Sequence, residues 1–161
     1  MIGSPLLHFS NRQTVMNLFS VSDAVTIGEA PSGDADIHHL SSTTFQSIFN
    51  IGLNAGDRAY SSRREGICAR ECGLSYLNHP IRDKNWDRDL IEAFRTKLEL
   101  LPAPTYVHGQ SPSKAAALCV VDRALREEWS VENALQFANK KNLPCCDDRW
   151  SRVIANALDE A

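Results

Sequence analysis

The run Lys114-Ala115-Ala116-Ala117-Leu118-Cys119-Val120-Val121 constrains the fold more than any other stretch of the chain. Its residues favour a helix, and for two turns that helix is apolar on every side. A helix with no face for water must be surrounded by other elements, so it is expected at the centre of the molecule. Directly before it stand a very short strand, Thr105-Tyr106-Val107-His108, and a loop of small residues, Gly109-Gln110-Ser111-Pro112-Ser113.

Upstream, short β-forming runs alternate with helical ones. Ala24-Val25-Thr26-Ile27-Gly28 reads as a strand, followed by a helix from about residue 34 to 43. Phe45 to Gly52 is rich in β-formers and reads as a second strand, and Gly52 to Tyr60 as a loop. A helix from Ser62 to Cys72 stops at Gly73, and Leu74 to His79 forms a third strand ahead of Pro80. Asp87 can cap a helix whose Leu90, Ile91, Phe94, Leu98 and Leu101 share one face, with Pro102 and Pro104 ending it. Two helices close the chain, one capped by Ser130 and one by Asp147 or Asp148; the second turns Trp150, Val153, Ile154, Ala157 and Leu158 inward. Such alternation predicts an α/β sandwich around a mostly parallel sheet of four to five strands.

A length of 161 residues fits one domain, and 43% hydrophobic with 23% charged residues suits a globular core. The net charge of −3 offers no broad basic field, so neither nucleic acid nor an acidic membrane is an expected partner. No window approaches the roughly 20 apolar residues of a membrane span. The first residues carry no secretory pattern, and the expected compartment is the cytoplasm.

Five cysteines, an odd number, argue against a disulfide framework. Cys68 and Cys72 share a helix face, but the usual two-residue zinc spacing is missing and no nearby histidine pattern completes a site. The expectation is reduced, mostly buried thiols with no metal and no cofactor. Adjacent His38 and His39 point to different sides of their helix and are read as solvated surface.

In open α/β folds, ligands collect beyond the carboxyl ends of strands, where loops feed helix N-termini. The loop from Gly109 to Ser113 has that position. Its N–H groups and the helix dipole would cradle an anion, and Lys114, read as a first-turn side chain at the mouth of the cleft, adds a charge. A plain strand-to-helix turn is the alternative, since it too must be small and bear a glycine.

A strand ending in Val107-His108, a six-residue loop and an apolar helix resemble the phosphatase loop of cysteine-dependent protein tyrosine and dual-specificity phosphatases. More narrowly, the chain resembles the small bacterial DUF442 branch, found alone or fused to β-lactamase-like hydrolases. There the loop reads roughly His-Cys-x-x-x-x-Arg; here it reads His108-Gly109-Gln110-Ser111-Pro112-Ser113-Lys114. Ile27-Gly28-Glu29-Ala30-Pro31, Phe49-Asn50-Ile51-Gly52-Leu53, Arg64-Glu65-Gly66, Gly73-Leu74-Ser75-Tyr76 and His79-Pro80-Ile81 follow the branch in order and spacing. The likeness covers about residues 22 to 128, with the helices of 130–160 completing a single phosphatase-like domain over 1–161.

That resemblance implies a three-layer sandwich and phosphate chemistry through a loop-held thiolate. The departures fall on the chemistry. The nucleophile position is Gly109, which has no side chain, and the bidentate arginine is replaced by Lys114, a point charge. Ser111 and Ser113 lack an adjacent base, because His108 is expected to face the interior, and Cys119 lies two to three turns down the helix. The family's general acid sits in the loop after the third strand, where this chain has Asp83 and Asp87. Asp83 is the closer positional match, while Asp87 is more simply a helix cap. Arg58, with Arg63 and Arg64, would line the mouth of the site or form a solvated face.

The expectation is a pseudophosphatase that has lost catalysis but keeps a weak oxyanion loop of Gly109, Gln110, Ser111, Pro112, Ser113 and Lys114, with Arg58 beside it. Its partners would be phosphate, sulfate, a phosphorylated ligand or another protein. Two alternatives stand beside it: an active phosphoester hydrolase with an unconventional nucleophile, and a structural module whose loop binds nothing.

Overall fold

A computed structural model describes residues 16–53 and 59–160. Five strands and six helices follow one another as β1 (Leu18–Ser20), β2 (Val25–Gly28), α1 (Asp34–Ser41), β3 (Ser47–Asn50), α2 (Ser62–Glu71), β4 (Ser75–Asn78), α3 (Arg88–Leu100), β5 (Thr105–His108), α4 (Pro112–Arg126), α5 (Val131–Lys140) and α6 (Asp148–Asp159). The strands form one sheet in the order β1-β2-β5-β3-β4, parallel throughout except for β1, which runs antiparallel to β2. β5 therefore sits in the middle, between β2 and β3, and carries the loop and α4 from there.

Side chains alternate across the sheet, as the two-residue period of a strand demands. Ile48, Tyr76 and Tyr106 point to the face covered by α1 and α2. Ile27, Phe49 and Val107 point to the other, where α3, α4, α5 and α6 build the larger core. The result is a three-layer sandwich. In α4, Lys114 to Asp122 and Ala124 are all buried, and the helix packs against α3, α5, α6, β2 and β5. The fully apolar run is central, as its pattern requires.

Side-chain caps start five of the helices, in each case where a Ser or Asp precedes the first turn. Ser61, Asp87, Ser111, Ser130 and Asp147 accept from the N–H groups of Arg64, Leu90, Lys114, Asn133 and Trp150. Gly73, at φ +83°, ends α2 in the left-handed conformation that a side chain would strain. Among the described residues, no helix is long and apolar enough to cross a membrane.

Three boundaries differ from expectation. The edge strand β1 was not expected, because three residues are too few to show a period. β3 is shorter than the Phe45–Gly52 run: after Asn50 the chain leaves the ladder, though Ile51 N–H still donates to the His108 carbonyl at 2.8 Å. α4 begins at Pro112 and not at Lys114, so the loop is only Gly109 to Ser111. A proline fits the first helical position because the N–H it lacks has no partner there.

Candidate functional site

β5 ends by burying His108 completely. Its Nε2 lies 2.5 Å from Glu65 Oε1, and Glu65, in the first turn of α2, is equally buried. The other oxygen, Oε2, accepts from Tyr76 Oη at 2.8 Å and from Asn50 Nδ2 at 3.0 Å. Asn50 Oδ1 in turn accepts the Gly52 N–H at 2.8 Å. A carboxylate out of water is costly unless several donors surround it, and here α2, β3, β4 and β5 all contribute to one network. That network fixes the strand end from which the loop departs.

Gly109 follows, also buried. A Cβ placed on it would lie 3.0 Å from Ile51 Cγ1 and 3.6 Å from both Ile51 Cδ1 and the Gly52 nitrogen. Carbon atoms prefer about 3.5–4.0 Å. A Cβ at 109 would therefore need Ile51 to give way by a few tenths of an ångström. Behind it, Gly52 lies close to the loop backbone, where its own Cβ would meet Gln110 N and Gly109 C at 3.6 Å.

Beyond Gly109 the donors are fewer than the loop's sequence suggests. Pro112, at the first helical position, has no N–H. The Lys114 N–H turns to Ser111 Oγ, at a long 3.5 Å. The Ser113 N–H remains a first-turn donor with no acceptor inside the helix. Gln110 is exposed, and Ser111, Pro112 and Ser113 are half-buried.

Lys114 corrects an expectation. Its side chain is 1% exposed, not at the mouth of a cleft, because α4 starts two residues earlier and rotates position 114 inward. Its Nζ lies 3.1 Å from Asp83 Oδ1, and Asp83 Oδ2 is 3.4 Å from Arg149. The ammonium approaches the carboxylate without hydrogen-bond alignment, and no other described residue receives its protons. The loop after β4 thus lays a negative charge on the cation assigned to anion binding.

Asp83 and Asp87 part company. Asp83 reaches Lys114, whereas Asp87 Oδ1 accepts the Leu90 N–H at 2.9 Å as the cap of α3. Between them Trp86 is buried against Trp150, with ring centroids 5.7 Å apart. Arg58 lies outside the described residues. Arg63 is exposed, and Arg64 turns away to Asp34, 2.6 Å distant. Burial pushes Cys119 far up from its ordinary pKa and Cys145 up to about 12, which disfavours the thiolate at both.

Two contributors were not singled out from the sequence, Glu65 and Ile51. Both lie in segments that follow the phosphatase-like order, so the signal was positional. Nothing in their local sequence says that one is a fully buried carboxylate or that the other fills the space beside Gly109.

Neither a family model nor a curated protein matches the chain. Solved structures do. The phosphatase Tk-PTP in its active form superposes with a TM-score of 0.70 at 13% identity, covering 89% of this chain and 96% of that one. A DUF442 protein from Shewanella putrefaciens gives 0.66 at 16%, covering 89% and 91%. TpbA of P. aeruginosa, in complex with phosphotyrosine, gives 0.60 at 9%, covering 90% and 91%. The chain has the fold of the protein tyrosine and DUF442 phosphatases.

Proposed function

We propose that the chain is a pseudophosphatase, a phosphatase-fold domain without nucleophilic catalysis that retains weak affinity for a divalent oxyanion. One observation carries this reading: the position that corresponds to the nucleophile, between β5 and α4, is Gly109, which has no side chain to attack with. Serine and cysteine alternatives lack an activating base or are buried. Weak affinity is argued from the donors that remain, the N–H groups around Gln110 to Ser113 and the charge of Lys114. A phosphorylated ligand or protein is the natural partner, in line with the phosphotyrosine held by TpbA. Asp83 acts as a built-in competitor for Lys114, keeping affinity low.

The purified protein is expected to leave an aryl phosphate unhydrolysed above buffer background from about pH 5 to pH 8. Sulfate or phosphate should raise its melting temperature more than chloride at matched ionic strength. Turnover that survives repurification and the Ser111→Ala, Ser113→Ala double change would overturn the reading. The structural-module alternative is favoured by the Asp83–Lys114 contact, and it predicts equal shifts with sulfate and chloride.

A further inference from the structure

On the opposite side of the sheet from α4, α1 and α2 lie together with matching four-residue ridges. Asp34 and His38 on α1 face Arg64 and Cys68 on α2 and Cys72, the residue that caps its C-terminal end. Asp34 pairs with Arg64, its carbonyl oxygen lies 4.0 Å from Cys68 Sγ, and His38 Nδ1 lies 3.3 Å from Cys72 Sγ. The donor atoms of His38, Cys68 and Cys72 all fall within 4.8 Å of one another. From these residues we infer a metal site, Cys68-Cys72-His38, that takes Zn²⁺.

The chemistry of the donors selects the ion. Two thiolates and an imidazole are soft to borderline ligands that suit zinc and not the hard, oxygen-seeking magnesium or calcium. Zinc-to-sulfur bonds of about 2.3 Å and zinc-to-nitrogen bonds of about 2.0–2.1 Å imply donor separations of about 3.6–3.8 Å in a tetrahedron. The 3.3 Å His38–Cys72 separation is already close to that, and the other two donor separations are no more than 4.8 Å. Cysteines four apart on one helix chelate from a single face. The fourth position is left to water: Asp34 is engaged by Arg64 and Tyr60, while exposed His38 and half-buried Cys72 open the site to solvent. With both thiols deprotonated, ion and ligands sum to zero charge, so the site needs no further counter-charge. Such a clasp joins α1 to α2 and depends on nothing in the loop after β5.

The test uses the full chain, reduced and freed of metal, titrated with Zn²⁺ against a chromophoric chelator. One equivalent should bind, with release of protons as the thiols ionise. Co²⁺ in its place should show a thiolate-to-metal charge-transfer band. At a hundredfold excess of Zn²⁺ over Kd, the melting temperature should rise by about 5–10 °C. Cys72→Ser should cost at least about a hundredfold in affinity and His38→Ala at least about tenfold; both positions are accessible enough to change without unfolding the helices. Cys146→Ser, on the exposed thiol near α6, should bind like the wild type. Wild-type zinc affinity in Cys72→Ser, or zinc lost in Cys146→Ser, would overturn the assignment. So would an equal response to Mg²⁺, or a reduced protein that ignores Zn²⁺ and forms only a Cys68–Cys72 disulfide on oxidation.

Discussion

On the strand side of Gly109, His108 meets Glu65 at 2.5 Å; on the helix side, Lys114 meets Asp83 at 3.1 Å. The first pair is wholly out of water, and Tyr76 and Asn50 bind its carboxylate as well. The second pairs a buried ammonium with a carboxylate that is 40% exposed and shared with Arg149. The network that shapes the end of β5 is thus tightly built, while the groups facing the loop are loosely matched. The scaffold side is held by several mutually satisfied buried groups, and the loop side by a single half-exposed carboxylate.

The largest expected effect is on the strand side. Glu65→Ala removes the shared hydrogen-bond partner of His108, Tyr76 and Asn50, and each buried polar group left unsatisfied costs about 1–3 kcal/mol. Urea denaturation should show that loss, and melting should fall by about 10 °C or more. A loss no greater than that from Asp83→Ala would erase the contrast between the two sides.

Gly109→Ala comes next. Its methyl group needs Ile51 to give way by a few tenths of an ångström, and where packing resists that shift the cost is about 1–3 kcal/mol. Adding Ile51→Ala, which removes the Cγ1 that the new methyl meets, should recover part of the loss, so the double change should be less damaging than the two single effects added together. Strict additivity would mean that Ile51 does not resist a Cβ at 109.

Asp83→Asn should matter less for folding, because a carboxylate 40% exposed is well screened. Its effect should appear in ligand binding: with the competing charge gone, sulfate affinity should rise about threefold to tenfold, a gain of roughly 1 kcal/mol. Unchanged or weaker sulfate binding would remove Lys114 from the proposed anion loop.

The smallest effect belongs to a pair remote from both sides. The hydrogen bond from Arg64, helped by that from Tyr60, holds Asp34 down to about pKa 2, below its ordinary value. A carboxyl depressed in the folded state contributes stability above its unfolded pKa and loses it as pH falls through the folded one. The stability gap between wild type and Asp34→Asn should therefore be constant above about pH 5 and fade towards about pH 2. Acid melts that spare this gap would mean the Arg64 contact is not kept in solution.

The sequence was most legible where local rules decide structure. The caps at Asp87 and Ser130, the stop at Gly73 and the buried α4 run all depend on residues near one another in the chain. The start of α4 was legible too, through Pro112, but the small-residue loop drew the boundary later. The site was less legible because its decisive contacts join distant segments. A lysine in a first helical turn reads as exposed, and only the fold brings Asp83 to it. Likewise the spacing of Cys68 and Cys72 shows a shared face, but their nearness to His38 comes from the packing of α1 on α2.

The contact between Ile51 and Gly109 also bears on reversibility. On the proposed reading, one substitution at 109 would restore a thiol, yet its Cβ would need Ile51 to give way. Relieving Ile51 first means removing its Cγ1, as in Ile51→Ala, and opens a cavity instead, at about 2–5 kcal/mol. Either order passes through a less stable protein, and neither step alone restores the forked cation or frees Lys114 from Asp83.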